Sequence, residues 1–494
     1  MRLSVGALVI LSLSACSTEL VAPFINVDGG GADSHSVKDG EPPETWAIAV
    51  GAGDGESRAR AIAVDGSGDI WFAGKYSEAA TLGTVELVTS PYHADRVFLG
   101  KISPAKDLYW ANSVGPTYKP NLQESFYSET INGIVFIEEG ALFVGTSGAS
   151  YAKYGSIPYA RSAGEAYCLS VSSAGEPVEL FSIEGSGGRN SGNDITSTPD
   201  GDIVYVGTYR GSENKIGQIE LPDSGNDADL FVVKASPSGD VRWTVWGASS
   251  FYDGAYDVAT NVHGEIYVLG AFQSHAKFGS IELEGSQEKE ARAHFIAKLS
   301  ADGHYLWAIA TLDVAWLDAK VDHAGDLWLV GTVYDTAKLG DNTLGKDGEV
   351  GGVVAKVSPG GNFLWARVMA SARIPEISDP TYHPMFESIA VDKRGRVFLT
   401  GSLPPSTSLL DVAYSSDYRA LVVEVSSQGE AIWAAAASGP GQSHGAEIAL
   451  DGLGHAYVAG GFEDKVKLGQ TELVSEGKGD GFVWKLPLRL VPEF

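Results

Sequence analysis

Beyond residue 46 the chain consists of short apolar stretches separated by polar, glycine-bearing breaks, the pattern of short strands joined by tight turns. One unit stands out at 61–74 (AIAVDGSGDIWFAG) and returns at 257–270, 318–331, 388–401 and 447–460, with looser copies ending at Gly145 and Gly207. Each copy is two apolar runs around an Asp-x-x-Gly or similar break, so each predicts a β-hairpin. A second landmark follows each hairpin: Phe98-x-x-Lys101, Phe231-x-x-Lys234, Phe295-x-x-Lys298, Val353-x-x-Lys356 and Phe482-x-x-Lys485, with Ser170 and Glu424 in the lysine position of the other two copies. Tryptophan then comes nine residues on, at Trp110, Trp243, Trp307, Trp365 and Trp433, while the second copy offers Leu180. These are a third and a fourth strand.

Four strands per unit in seven copies predict an all-β fold, a seven-bladed β-propeller of four-stranded blades, because sheets this short must stack on one another to bury both faces. The ends of the chain supply the closure. Trp46-Ala47-Ile48-Ala49 matches Trp307-Ala308-Ile309-Ala310 yet precedes the first hairpin, and the last unit has Lys485 but no tryptophan strand after it. The N-terminal strand is therefore expected to complete the last blade, removing the free edges of an open array. The propeller spans 46–486 and a tail follows at 487–494. A transmembrane barrel would need longer strands with one polar face, and a linear solenoid leaves the Trp46 match without a purpose.

Ahead of the repeat, Arg2 is followed by the apolar stretch 3–13 and by Ser14-Ala15-Cys16. The apolar stretch is too short to span a bilayer. Leu13-Ser14-Ala15-Cys16 resembles a bacterial lipobox, which implies removal of 1–15 as a lipoprotein signal peptide and acylation of Cys16, palmitate included. Two or three acyl chains would anchor the protein stably. Segment 16–45, with Gly29-Gly30-Gly31 and Pro42-Pro43, then reads as a flexible tether. The expected location is the bacterial cell envelope, at the outer membrane or cell surface.

The hairpin glycines, the Phe-x-x-Lys strand and the tryptophan together resemble the seven-bladed propeller repeat of bacterial surface lipoproteins, over roughly 46–486. That resemblance implies a fold and a location but no shared chemistry. The sequence departs from the pattern in the second unit, at Ser170 and Leu180, and in the sixth, at Glu424 and in the missing pair of a large apolar residue and glycine, which is Leu-Gly or Phe-Gly at Gly83, Gly279, Gly340 and Gly469 and Tyr-Gly or Ile-Gly at Gly155 and Gly217.

Charge narrows the partners. The 494 residues carry 63 acidic against 35 basic side chains, a formal net charge of −28, which opposes nucleic acid. After loss of 1–15, Cys168 is the one thiol besides Cys16; in its apolar strand it reads as a small buried hydrophobe.

For chemistry, the first position of the inner strand carries Asp194, Asp257, Asp318 and Glu447 in four units, and Ala61, Gly133 and Ser388 in the others. In a propeller these converge near one rim of the channel. They are a candidate ring for a cation or a basic group, or else hydrogen-bond acceptors for their own inter-blade loops. Aromatics of the loops above, Tyr118, Phe126, Tyr127, Tyr382 and His383 in the long ones and Phe251, Tyr252, Tyr256 and Trp316 in the short ones, suit a glycan, a peptide or a basic protein, or pack the loops down. The repeat lysines are expected to lay their stems against neighbouring blades and reach water. No catalytic, cofactor or metal motif is present. The expected function is a monomeric, lipid-anchored binding module acting through its loop-bearing rim, with no cofactor. The alternatives are a carbohydrate-active hydrolase or lyase using channel carboxylates, and a purely structural envelope protein.

Overall fold

The computed structural model describes residues 45–488 apart from 53–54, 88–94, 117–128, 148–151, 155–156, 159–163, 185–189, 250–251, 286–291, 341, 374–385, 406, 408 and 411–416. The signal peptide, Cys16, most of the tether and the end of the tail lie outside these residues, as do Tyr118, Phe126, Tyr127, Phe251, Tyr382 and His383.

The described residues form strands and turns with no helix, arranged as a β-propeller. The first blade shows why. Ser57–Val64, Ile70–Tyr76, Arg96–Ile102 and Leu108–Pro116 pair antiparallel in chain order, and the two central strands are buried almost throughout. Apolar side chains on both faces of a central strand require a neighbour on each side. Five further blades repeat this order within 130–184, 191–246, 253–311, 314–373 and 386–436. Six blades, against the expected seven, are thus each complete within one continuous stretch of chain. A further four-stranded order is composite: Ser443–Leu450, His455–Phe462, Asp480–Pro487 and then Trp46–Ala52, with Trp46 opposite Lys485 and Ile48 opposite Val483.

Consecutive blades are stitched together three ways. Apolar clusters fill the spaces between sheets: Trp71, Phe143 and Leu169 lie between the first two blades, and Trp46, Phe72, Phe98, Tyr457 and Val483 lie between the composite sheet and the first blade. Each such side chain contributes about 1.5–3 kcal/mol on burial. The hairpin between a blade's second and third strands also pairs with the outer strand of the blade before, as Ala152–Tyr154 does with Leu108–Pro116 and Ala80–Leu82 with Trp46–Ala52. Some hydrogen-bonded sheets therefore run to six strands and cross a blade boundary.

The third stitch uses the repeat tryptophans. Trp110, Trp243 and Trp307 donate from Nε1 to the carbonyls of Ser173, Ala301 and Pro359 at 3.0–3.1 Å, each in the outer turn of the following blade. Trp46 does the same to Pro104 at 2.9 Å. Those turns need glycine beneath the ring: Gly303 has φ +83°, and a Cβ there would lie 2.8 Å from Trp243 Cδ2. In the second blade Glu179, not Leu180, pairs opposite Ser170, and the ring of Phe181 covers Gly239, where a Cβ would approach Phe181 Cδ1 to 2.9 Å.

The repeat lysines do not stretch into water: Lys101, Lys234, Lys298 and Lys485 are buried and Lys356 is half-buried, and carboxylates of the inner hairpin turns reach most of them. Lys101 sits 3.1 Å from Asp65 and 3.0 Å from Asp69, Lys356 3.0 and 2.8 Å from Asp322 and Asp326, and Lys298 2.6 Å from Glu265. The same Asp65 accepts from Ser67 N, Asp69 N and Trp71 Nε1, so its turn is a hairpin turn with a full set of partners.

Two glycine substitutions separate backbone strain from ring contact. Gly395 has φ +78° with nothing within 4 Å of a Cβ, so Gly395→Ala should cost about 1 kcal/mol of unfolding free energy. Gly303→Ala adds the clash with Trp243 and should cost about 1–3 kcal/mol more, read from denaturant melts. Equal losses would show that the turn does not depend on the ring.

Candidate functional site

The first strand of every blade runs beside the first strand of the next, and Ser443–Leu450 lies against Ser57–Val64. A cavity of about 270 Å³ opens among them, lined by Ile134, Asp194, Thr196, Thr260, Lys320 and Glu447 with neighbouring apolar side chains. Each of these strands has a register shift at the same place, which skips Arg60, Asn132, Asn193, Tyr256, Leu317, Glu387 and Ala446 in turn. The next residue is the one singled out in the sequence. A bulge turns the strand so that this side chain faces around the channel toward the following blade.

The structure brings Asp194, Asp257, Asp318 and Glu447 together and gives three of them backbone partners. Asp194 Oδ2 accepts from Val258 N at 3.0 Å, Asp318 Oδ2 from Ile389 N at 2.8 Å, and Glu447 Oε2 from Ile62 N at 2.7 Å. Ser388, the equivalent residue of the sixth blade, donates to Asp318 Oδ2 at 2.7 Å and accepts from Ile448 N at 3.4 Å. These side chains thus cap the strand of the following blade instead of their own loops. Gly133 has no side chain at this position, and a Cβ there would come within 2.7 Å of Asp194 Oδ1.

Sequence reasoning missed the cation among them. Lys320 places Nζ 2.7 Å from Asp318 Oδ1 and opens on the cavity. Burial opposes its charge, but Asp318, Asp257 and Asp194 hold its pKa well above the usual lysine value. The signal was present: the equivalent residues elsewhere are Ala63, Val135, Thr196, Ala259, Ala390 and Ala449, none of them charged.

Burial dominates the carboxyls. It raises Asp194 to about 6 against the pull of Lys320, and Glu447 to about 8 against the bond from Ile62. Asp257 is pushed well above its ordinary value by burial and by the charge of Asp318, and its buried Oδ2 has no hydrogen-bond partner among the described residues. Among the described residues no group of three or more His, Cys, Asp or Glu is arranged to hold a metal ion.

A second set lies one to three residues nearer the strand starts. Arg58 and Arg60 of the first blade, Glu387 of the sixth and His444 of the composite sheet act on one another electrostatically. Arg60 is exposed, and Arg58 Nε contacts Glu56 Oε1 at 2.6 Å. Burial raises Glu387 to about 7 despite both arginines, and burial with both arginines lowers His444 to about 3. The aromatics described nearby are engaged: Trp316 is fully buried and donates to Thr311 Oγ1 at 3.0 Å, Tyr252 lies 4.2 Å under Arg292, and Tyr256 packs by His294. Cys168 is free and buried, and burial raises its thiol pKa well above the ordinary value.

No family model and no curated protein matches the chain. Solved structures of similar fold include virginiamycin B lyase from Staphylococcus aureus, 10% identical with a TM-score of 0.41, covering 89% of this chain and 99% of that one. A protein of unknown function from Dyadobacter fermentans is 12% identical with a TM-score of 0.39, covering 91% and 100%. The Dos1 propeller is 10% identical with a TM-score of 0.40, covering 89% and 95%. At these identities the likeness concerns the fold alone.

The raised carboxyl pKa values fix the sign of a pH effect. Unfolded carboxyls titrate near about 4, so the folded state holds these protons more tightly. Their stabilisation is complete below about pH 4 and is lost as pH rises through 6 and 8. Lys320→Met removes the cation that tolerates their ionisation. It should cost roughly 1–3 kcal/mol at pH 8 and less at pH 5, read from urea melts. A cost independent of pH would disprove the assignment.

Proposed function

We propose that the protein is a lipid-anchored binding module of the bacterial cell envelope, built as a closed seven-bladed propeller that engages its partner at the loop-bearing end of the channel. The observation that carries the binding reading is the commitment of the channel carboxylates. Three of them receive backbone N–H groups from the next blade, and the fourth, Asp257, is buried beside them. An acid–base pair for glycoside cleavage needs two carboxyls free to face one bond, and these face blade junctions.

Closure is supported by equivalence at the chain ends. Trp46 Nε1 and Lys485 Nζ both donate to Pro104 O, at 2.9 and 3.2 Å, as Trp307 Nε1 and Lys298 Nζ both donate to Pro359 O, at 3.0 and 3.3 Å. The composite sheet is then the seventh blade. The lipid anchor rests on Leu13-Ser14-Ala15-Cys16 after a short apolar stretch, and the outer membrane or surface location follows from it.

The full chain expressed in a bacterial host should fractionate with envelope membranes, and Cys16→Ser should move it to the soluble fraction. Incubated with purified envelope polysaccharides, the protein should retain one of them without producing new reducing ends. Depolymerisation that disappears in Asp194→Asn would replace this reading with the hydrolase or lyase reading.

A further inference from the structure

We propose that the channel end formed by Arg58, Arg60, Glu387 and His444 binds a carboxylate group, supplied by a uronic-acid sugar or by a small organic acid, with Arg60 as its main holder. This deepens the binding-module reading and rests on it.

The sequence suggests an acidic mouth, yet the four carboxylates lie deeper, held by backbone donors and by Lys320. The charged groups nearer the entrance are different. Arg60 is the bulge residue of its strand, so it has no cross-strand partner, and among the described residues its guanidinium has no hydrogen-bond acceptor. Glu387 is the bulge residue of the sixth blade. Between them round the channel comes the composite sheet, whose bulge residue is Ala446 and places only a methyl group there.

Gly461 sets the floor. A Cβ on it would lie 2.7 Å from His444 Cε1 and 3.4 Å from Arg58 Cγ, so the missing side chain lets the imidazole and the arginine stem pack side by side. Two guanidinium groups, one imidazole and one carboxyl thus gather across three consecutive sheets, with burial pushing Glu387 up to about 7 and His444 down to about 3. A planar guanidinium without an acceptor matches a carboxylate with two parallel hydrogen bonds. His444 and Glu387 then stand where hydroxyl groups of the same ligand need an acceptor or a donor. The chemistry fits a carboxylate with hydroxyls close by, which both a uronic acid and a hydroxylated organic acid carry.

Titration calorimetry on the full chain tests this with three probes: trigalacturonate, neutral galactotriose and citrate. A carboxylate probe should bind and galactotriose should not; trigalacturonate alone assigns the sugar source, citrate alone the organic acid, and both together the shared group. Arg60→Ala should weaken binding by about tenfold or more, Arg60→Lys should restore part of it, and Glu387→Gln should strengthen it by removing a competing acid. A purely structural role for Arg60 would not produce that opposite response. No binding of either carboxylate, or equal affinity in Arg60→Ala, overturns the proposal. If Arg60→Ala still retains the envelope polysaccharide, the binding-module reading stands while this site falls.

Discussion

The structure depends on one constraint: a sheet of four short strands with apolar side chains on both faces has no stable existence apart from its neighbours. Everything distinctive in the chain acts at a boundary between sheets. Tryptophan Nε1 groups reach the next blade's outer turn, and glycine keeps that turn flat against the ring. Hairpins extend the previous blade's outer strand. Around the channel, side chains from four sheets cap the following strand, and where Ser388 replaces a carboxylate its hydroxyl still takes the N–H of Ile448.

This places the polar chemistry in a particular light. A buried carboxylate is costly unless it is bonded; here backbone N–H groups and Lys320 meet that requirement for Asp194, Asp318 and Glu447, while burial pushes the pKa of Asp257 well above its ordinary value. The acidic ring is accordingly an element of cohesion, and its cation belongs to the chain itself. The exposed charge near the strand starts belongs to Arg60, which is why the proposed ligand is anionic although the protein carries a net charge of −28.

Much of the fold was legible because the repeat writes the same contacts many times. The Phe-x-x-Lys and tryptophan spacing marked the third and fourth strands, and the Trp46 match pointed to the pairing of Trp46 with Lys485. The blade count was harder to read, since six blades are contiguous in chain and one four-stranded order is assembled from both ends. In the second unit the tryptophan is absent, and the register sets Glu179, nine residues on as in the other units, opposite Ser170 in place of Leu180. Lysine partners escaped the sequence reading because Asp65 and Lys101 meet only when two strands fold back on each other. The convergence of Asp194, Asp257, Asp318 and Glu447 was legible from their equivalent positions. What they face was not, because a one-residue bulge decides whether a side chain points to its own loop or to the neighbouring blade.

The most direct test of the account is the unfolding free energy of Glu447→Ala, since Glu447 joins the composite sheet to the first blade through Ile62. Loss of the carboxylate leaves a buried N–H without its acceptor, and the account predicts a destabilisation of about 1–3 kcal/mol with ligand retention unchanged. Full stability together with lost retention or turnover would contradict it, and would return the carboxylates to the role of a site.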